Sequence, residues 1–329
     1  MKEIRIDVNM ILAGDVGGTK TLLGLFEPRG RRPHAIVVRA FATAGFPNLS
    51  AMIAAFAAEA PVRGTTIHAA CFGVAGPVLG ERAQLTNLAF TIDAPAVRDA
   101  LGTPRVRLLN DLQALACAVP VLEDTELAVL QPGTPNPAGA VALVAAGTGL
   151  GEAVLQRVDG RLIPTPSEAG HADWAPRNDR EIALLGVLIR QFGRAEVEDV
   201  VSGPGLVRIH GVTHNRPCLA VPDTAHPEAP AAISKAALEG RCPGCVDALD
   251  LFVGAYGAEA GNLALRAVAT GGIFLGGGIA PRILPALSDG RFARAFLDKG
   301  SFRSLLATIP VSVILNQEAG LLGAAAAAG

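Results

Sequence analysis

The sequence lacks an excess of either charge, with 28 Lys and Arg residues against 30 Asp and Glu residues. Binding to a polyanionic backbone or to an acidic lipid surface needs a basic excess, so nucleic acid and membrane surfaces are excluded as expected partners. Charged residues are also scarce, at 18% of the chain, while half of the residues are hydrophobic and 38 are glycine. This composition predicts a compact globular fold with many tight turns.

Cysteine is scarce as well, with five residues in 329. So few cysteines, in an odd number, exclude a disulfide scaffold and favour a reducing, cytoplasmic location. Cys242-Pro-Gly-Cys245 has the spacing of a metal-binding or redox motif. A single C-x-x-C supplies only half the ligands of a structural zinc site, and no second C-x-x-C or nearby His pair completes it. We therefore expect no structural zinc.

One pair of histidines has metal-like spacing but an unfavourable context. His210 and His214 are four residues apart, as in metal-binding helices. Gly211 and Pro217 argue against a rigid helix there. The segment from His210 to Pro230 contains four prolines and few periodic apolar residues, so it is predicted to be a loop, and neither histidine is assigned a role.

Hydrophobic runs long enough to cross a membrane are missing. The longest uncharged stretch, Leu127 to Gly151, is interrupted by Pro132, Pro135 and Pro137 and predicts a loop followed by a strand. The apolar stretch near the start reaches Asp15 too early to serve as a signal sequence. Membrane insertion and export are not expected.

The sequence does contain two strand–glycine turn–strand patterns. Asp15-Val-Gly-Gly-Thr19 lies between the apolar runs Met10–Ala13 and Leu22–Phe26, and Ala145-Ala-Gly-Thr-Gly-Leu-Gly151 lies between Ala140–Val144 and Glu152–Gln156. Glycine can adopt a positive φ and has no Cβ, so consecutive N–H groups can converge on a phosphate. One such turn alone is equally well explained as an ordinary hairpin. Two, each opening one half of the chain, predict a duplicated α/β unit with both turns facing a central cleft.

The remaining periodicity completes this α/β pattern. The strand after the first turn is predicted at Thr21–Phe26, and further strands are predicted at Ala35–Ala40, Ile67–Val74, Val106–Asp111, Gly272–Leu275 and Val311–Leu315. Helices are predicted at Leu49–Ala60, Leu112–Ala118, Asp179–Phe192, Lys235–Glu239, Cys245–Ala269 and Glu318–Ala328. We expect a smaller α/β domain of residues 1–120 plus 310–329, and a larger one of residues 121–309.

Asn110 and Asp111 are the two polar residues at the end of a predicted strand. Ligands of open α/β sheets bind at the carboxyl ends of strands, so this pair is placed where chemistry takes place. The alternative is that the pair only caps the helix that follows.

Taken together, these motifs resemble the bacterial glucokinase family, within the actin-like (ribonuclease-H-like) sugar kinases and ATPases. The matching segments keep the family's order along the chain: Leu12–Thr19, Asn110-Asp111, Gly147–Gly151, Glu168–Pro176, Ser202–Leu206, Gly271–Arg282 and Ala319–Gly323. The fold that this resemblance implies is two actin-like α/β domains of duplicated origin around a central cleft.

The resemblance also implies roles for individual residues. Asp111 would be the base that takes the proton from the sugar's 6-hydroxyl, and Asn110, Glu168, His171 and Glu198 would bind the sugar hydroxyls beside it. On the nucleotide side the implied ATP-binding residues are Asp15, Gly17, Gly18, Thr19, Gly147, Thr148, Gly149, Gly277 and Gly278, with Asp15 holding Mg²⁺ through the phosphates. Read alone, Glu198 would be a solvated helix charge, and the alternative for the Gly276–Gly278 stretch is tight packing of a helix start against a strand.

Two positions depart from the family pattern. Lys20 stands where the family often has Asn, and Ala169 stands where its Glu-Gly-Gly-His has the first Gly. Neither change removes a functional group. The Cys-rich zinc motif that follows the histidine in the related repressor and kinase group is missing after His171.

The function implied is ATP-dependent phosphorylation of D-glucose at the 6-hydroxyl to glucose 6-phosphate, the entry step of glycolysis, by a cytoplasmic homodimer. Alternatives are a kinase for another hexose (N-acetylmannosamine, mannose or fructose) or one that uses ADP or polyphosphate. A protein of a different class, an actin-like switch ATPase or a sugar sensor, is a further alternative. In such a protein the residues expected to bind sugar would have no common role, and the fourteen residues before Asp15 are too few for a helix-turn-helix domain that binds DNA.

Overall fold

The computed structural model describes residues 9–59, 62–85, 90–214 and 217–329. They divide into two compact units: unit 1 contains the described residues up to Glu123 together with Asn316–Gly329, and unit 2 runs from Asp124 to Leu315. The strands are β1 (Met10–Val16), β2 (Lys20–Glu27), β3 (His34–Ala42), β4 (Ile67–Val74), β5 (Val78–Leu79), β6 (Arg82–Gln84), β7 (Thr91–Asp93), β8 (Val106–Asn110), β9 (Leu127–Gln131), β10 (Val141–Ala146), β11 (Leu150–Val158), β12 (Arg161–Ser167), β13 (Gly272–Gly276) and β14 (Val311–Ile314).

The α-helices of the same residues are α1 (Leu49–Ala57), α2 (Ala94–Leu101), α3 (Asp111–Ala118), α4 (Asp179–Phe192), α5 (Gly203–Thr213), α6 (Ala229–Leu238), α7 (Pro243–Ala267), α8 (Leu284–Ser288), α9 (Arg291–Leu297), α10 (Arg303–Leu306) and α11 (Ala319–Ala328). None of these helices combines the length and the hydrophobicity needed to cross a bilayer.

Unit 1 is built on a sheet with the strand order β3-β2-β1-β4-β8. β1 is antiparallel to β2 and parallel to β4, which is parallel to β8. β1 and β4 are buried along most of their length, as parallel strands are when helices cover both sheet faces. Leu12 and Phe72 pack with Phe56 of α1 on one face, and Ala13 packs with Leu321 of α11 on the other.

Unit 2 repeats this arrangement. Its sheet has the order β12-β11-β10-β13-β14-β9, and the first five strands pair in the same directions as β3-β2-β1-β4-β8. The long helix α7 packs beneath the sheet through Phe252 and Tyr256, whose hydroxyl donates to the Val144 carbonyl at 3.2 Å. The prediction of a duplicated α/β unit is confirmed by this repeated strand order.

Most predicted elements are present, and the helix predicted at Asp179–Phe192 has the observed bounds of α4. The end of the helix predicted at Leu49–Ala60 lies outside the described residues. β12, α2 and the short helices α8 to α10 are not among the predicted elements.

Two expectations are wrong. The first is the assignment of residues 310–329 to the smaller domain. β14 belongs to unit 2, because it pairs with β13 and β9 and not with a strand of unit 1. The predicted loop from His210 to Pro230 in fact starts with the last turn of α5 and ends in the first turn of α6. Gly211 is tolerated inside α5 because the packing of Leu206 and Ile209 into the core of unit 2 outweighs its low helix propensity.

Candidate active site

The first glycine turn joins β1 to β2 in unit 1. The Gly17 N–H donates to the Lys20 carbonyl at 3.1 Å, and the Thr43 N–H donates to the Thr19 carbonyl at 3.1 Å. The Thr43 hydroxyl donates to the Gly17 carbonyl at 2.7 Å. Thr43 is buried, so the turn is anchored by a side chain that the sequence patterns did not single out.

The glycines of this turn provide close approach and not a left-handed backbone. Neither Gly17 nor Gly18 has a positive φ, so the turn does not use the ability of glycine to adopt one. A Cβ at Gly17 would lie 2.9 Å from the Lys20 carbonyl oxygen, whereas a Cβ at Gly18 would meet open space. The turn therefore has an open side at Gly18 and the exposed Thr19, where backbone can approach an anion.

Asp15 lies in β1, close to the start of α11. A Cβ built at Gly320 would lie 3.0 Å from the Asp15 Oδ2 atom. Burial, reinforced by the negative charge of Asp111 and opposed by the positive charge of Lys20, raises the pKa of Asp15 to about 6. A buried carboxylate beside a second carboxylate favours a proton or a cation, so the residues present fit a Mg²⁺ ion at this position.

Replacing Asp15 with asparagine is expected to stabilise unit 1 at high pH. The stability that protonated Asp15 contributes is fully present below pH 4 and is lost as the pH rises through about 6. Asp15→Asn should therefore exceed the wild type in unfolding free energy by about 3 kcal/mol at pH 8 and by little at pH 4. Urea denaturation at both pH values, without nucleotide or Mg²⁺, measures the difference. A difference that does not depend on pH would contradict the raised pKa.

Asn110 and Asp111 lie at the junction of β8 and α3. Asn110 is the N-cap of α3: its Oδ1 accepts the Leu112 N–H at 2.9 Å, and the Gln113 Oε1 accepts the Asn110 N–H at 3.1 Å. The helix-capping alternative is thus confirmed for Asn110, although it does not exclude a contact with sugar. Asp111 is exposed, and its Oδ1 also accepts the Leu112 N–H, at 2.8 Å, so the start of the helix orients the carboxylate.

Parallel pairing gathers these residues at one edge of the sheet. Asp15 is opposite Gly73, and Val74 is opposite Asn110, so the carboxyl ends of β1, β4 and β8 are neighbours. Gly73 lets α3 approach β4, because a Cβ there would lie 2.7 Å from the nearest α3 side chain. Unit 1 therefore brings together the glycine turn, Asp15 and Asp111.

The second glycine turn joins β10 to β11 in unit 2. The Gly147 N–H donates to the Gly149 carbonyl at 2.8 Å, and Thr148 at the tip is exposed. The Glu198 Oε2 accepts the Leu150 N–H at 2.7 Å, and a Cβ at Gly149 would lie 2.5 Å from that same oxygen. Glu198 is therefore no solvated helix charge, because one of its oxygens braces the turn.

The end of β13 lies beside this turn. β10 and β13 are parallel, with Ala145 opposite Gly276. Gly277 has a φ of +80°, and a Cβ there would lie 2.2 Å from the Ala146 carbonyl oxygen, so this position requires glycine. Gly278 is exposed, and a Cβ there would meet open space. Both glycines thus lie at the same sheet edge as the second turn.

The segment that carries Glu168 and His171 pairs with the segment that carries Glu198. The Glu198 N–H donates to the Gly170 carbonyl at 2.8 Å, and the His171 N–H donates to the Glu168 carbonyl at 3.0 Å. His171 is exposed at the surface of unit 2, and Glu168 is exposed as well.

Glu196 is a residue of this group that the sequence patterns missed. The His171 Nδ1 lies 2.6 Å from the Glu196 Oε2, and this hydrogen bond raises the pKa of His171, with added contributions from the charges of Glu198 and Glu168. Arg194 lies 3.3 Å from Glu196. Unit 2 therefore gathers Glu168, His171 and Glu198 and adds Glu196, which orients the imidazole. No sequence signal distinguishes Glu196 from the other acidic residues of its run.

Replacing Glu196 with glutamine is expected to lower the pKa of His171. The imidazolium state, which Glu196 stabilises at neutral pH, would then be lost at a lower pH. An NMR titration of the His171 ring protons measures this shift, and Glu59→Gln, at another partly exposed carboxylate paired with an arginine, serves as the control. An unchanged His171 pKa in Glu196→Gln would show that the pair does not form in solution.

Two α/β units of the same strand order, each with a glycine turn and carboxylates at one edge of its sheet, define an actin-like fold of the sugar-kinase class. The chain belongs to the glucokinase family, whose profile matches residues 12–329. It is 40% identical over 338 residues to the glucokinase of Nostoc punctiforme, covering 97% of this chain and 98% of that one. It is 39% identical over 341 residues to the glucokinase of Nostoc sp., with 97% and 98% covered. The crystal structure of a glucokinase from an Antarctic psychrotroph matches with a TM-score of 0.87 and 29% identity, covering 97% of this chain and 98% of that one.

Proposed function

We propose that this chain transfers the γ-phosphoryl group of ATP to the 6-hydroxyl of D-glucose, forming glucose 6-phosphate and ADP. The observation that carries the proposal is the exposed carboxylate of Asp111 at the same sheet edge as the first glycine turn and Asp15. Membership of the glucokinase family supports the choice of sugar.

Asp111 would accept the proton of the sugar 6-hydroxyl. At the same time the oxygen of that hydroxyl would attack the γ-phosphorus of ATP, and the bond between the γ-phosphorus and the leaving ADP would break. Phosphoryl transfer otherwise needs positioning and charge neutralisation more than covalent help. The N–H groups and hydroxyls of Gly17–Thr19 and Gly147–Gly149 would hold the phosphates, and Gly277 and Gly278 would lie beside the adenosine. Mg²⁺ held through the phosphates on the Asp15 side would supply positive charge to the transferred group.

The sugar would be bound by Asn110, Glu168, His171 and Glu198. Since the Glu198 Oε2 already accepts a backbone N–H, its other oxygen, Oε1, is the one assigned to a sugar hydroxyl. Each hydroxyl both donates and accepts a hydrogen bond, which carboxylates and an imidazole can satisfy. A cytoplasmic location, a homodimeric assembly and a place at the entry of glycolysis belong to the same proposal.

A coupled assay of the purified protein tests the function. ATP consumption should depend on glucose and saturate with it, and should be slower with mannose, fructose and N-acetylmannosamine. ADP and polyphosphate should not replace ATP. ATP hydrolysis that no sugar stimulates would instead identify a switch ATPase, and a faster rate with another hexose would correct the substrate.

A further inference from the structure

A cluster of histidines and cysteines lies in unit 2, away from both glycine turns in sequence. We call it the His–Cys cluster: it consists of His210 and His214 at the end of α5, Cys218 in the following segment, and Cys242 and Cys245 at the start of α7. All five chain cysteines, including these three, are free thiols. The ligand atoms of His210, His214, Cys218 and Cys245 all lie within 4.8 Å of one another.

The spacing of the sulfur atoms fits one tetrahedral ion. The Cys218 Sγ lies 3.7 Å from the Cys245 Sγ and 3.7 Å from the Cys242 Sγ. Two thiolates bound at about 2.3 Å to one tetrahedral zinc ion are about 3.8 Å apart. A disulfide, in contrast, needs the two sulfurs at about 2.0 Å. The thiols therefore have the separation of metal ligands.

His214 has the hydrogen bonding of a metal-binding histidine. Its Nδ1 lies 2.9 Å from the His210 carbonyl oxygen, which can only accept, so Nδ1 carries the proton and Nε2 keeps its lone pair. A backbone carbonyl in this role is the usual outer partner of a metal-bound imidazole. Nε2 is directed into the cluster, 3.2 Å from the Cys242 Sγ.

The buried imidazole of His210 is an independent observation that points to a bound ligand. It is 3% exposed, and neither of its ring nitrogens has a hydrogen-bond partner among the described residues. An imidazole buried without partners costs about 1–3 kcal/mol, and a bound ion would remove that cost. Its ring lies against that of His214, with the ring centroids 3.8 Å apart.

The backbone around the cluster accommodates the imidazole of His214. A Cβ at Gly244 would lie 2.6 Å from the His214 Nε2 atom, so a residue larger than glycine would displace the ring. The Thr213 hydroxyl donates to the Gly244 carbonyl at 2.8 Å and ties the end of α5 to the start of α7.

We propose that the His–Cys cluster is a structural zinc site with His210, His214, Cys218 and Cys245 as its four ligands. A tetrahedral set of two nitrogens and two sulfurs favours zinc over the hard cations that prefer oxygen. Cys242 is left out because it is only partly buried and lies outside the group of four residues whose ligand atoms are all within 4.8 Å of one another, whereas leaving out His210 would keep a buried imidazole unpartnered. The ion would hold together the end of α5, Cys218 in the segment after it and the start of α7. The sequence, in contrast, predicts an irregular loop without zinc at His210–Pro230.

Metal analysis of the full chain tests the site. The protein, purified with a reducing agent and without chelator, should contain about one zinc per chain, and Co²⁺ put in its place should give the visible absorption of a tetrahedral thiolate site. Glucose phosphorylation is assayed in parallel, so that failure of the kinase proposal is seen separately. A protein that stays free of zinc after incubation with reducing agent and ZnSO₄, or one that forms a Cys218 disulfide instead, would overturn the proposal.

Single substitutions test the ligand set. His210→Asn and Cys245→Ser should weaken zinc binding by more than 100-fold in a chelator competition, while the matched variant Cys242→Ser should bind zinc as the wild type does. Gly244→Ala should weaken it about 10- to 100-fold by displacing His214, although alanine favours helix. Loss of zinc from Cys242→Ser with retention in His210→Asn would refute this choice of ligands. The same holds if Gly244→Ala keeps wild-type affinity.

Discussion

Replacing Asp111 with alanine is expected to lower kcat for glucose phosphorylation by about 10³- to 10⁴-fold. The carboxylate is the group assigned to accept the proton of the 6-hydroxyl, and its exposed position beside the first glycine turn leaves it accessible to substrate. The affinity for glucose should change little, because the other residues proposed to bind the sugar remain. A coupled assay gives kcat. The single tryptophan, Trp174, is three residues after His171, so its fluorescence reports glucose binding.

The chain offers a matched control for this substitution. Asp179 is the first residue of α4 and follows an asparagine N-cap, as Asp111 follows Asn110 at the start of α3. Asp179→Ala removes the same favourable interaction with the helix dipole, worth about 0.5 kcal/mol, without touching the candidate site. It should leave kcat unchanged. Near-normal turnover in Asp111→Ala would show that Asp111 is not the base.

Replacing Gly170 with alanine should have the second large effect, on stability and activity together. Gly170 is buried, and a Cβ there would lie 2.1 Å from the Leu150 carbonyl oxygen at the start of β11. Backbone must move to relieve this contact, at a cost of about 3 kcal/mol. The movement separates the Glu168–His171 segment from the second glycine turn, and such displacement costs about 100-fold in kcat/KM for glucose. Thermal unfolding and the coupled assay measure both.

Ala169→Gly is the control next in sequence. It restores the Glu-Gly-Gly-His pattern from which this chain departs, and we expect it to change stability by no more than about 1 kcal/mol. The departure at Ala169 is tolerable because Gly170, and not residue 169, is the position in close contact with β11. If Gly170→Ala were as stable and active as Ala169→Gly, the close contact would not exist in solution.

The candidate site could be predicted in part because its motifs are local. Asp15, the two glycine turns and the Asn110–Asp111 pair each lie at the end of a strand or directly after it, so their position at a sheet edge follows from the strand itself. Of the two properties of glycine on which the prediction of the turns is based, Gly17 and Gly18 use only the missing Cβ, which allows close approach, and neither has a positive φ. Asn110 proved to be a helix cap, a local role that its sequence position also allowed.

The sequence by itself determined the α/β class, the duplicated hairpins and the resemblance to glucokinases, because strand periodicity and glycine turns depend on neighbouring residues. Only the tertiary structure decided which distant side chains meet. Glu196 reaches His171 across 25 residues, and Cys218 reaches Cys245 across 27. Such contacts depend on how helices and strands pack against one another, and the spacing of residues along the chain does not predict that packing. For this reason the sequence predicts no zinc site at His210, His214, Cys218 and Cys245, whereas in the fold these four side chains lie together.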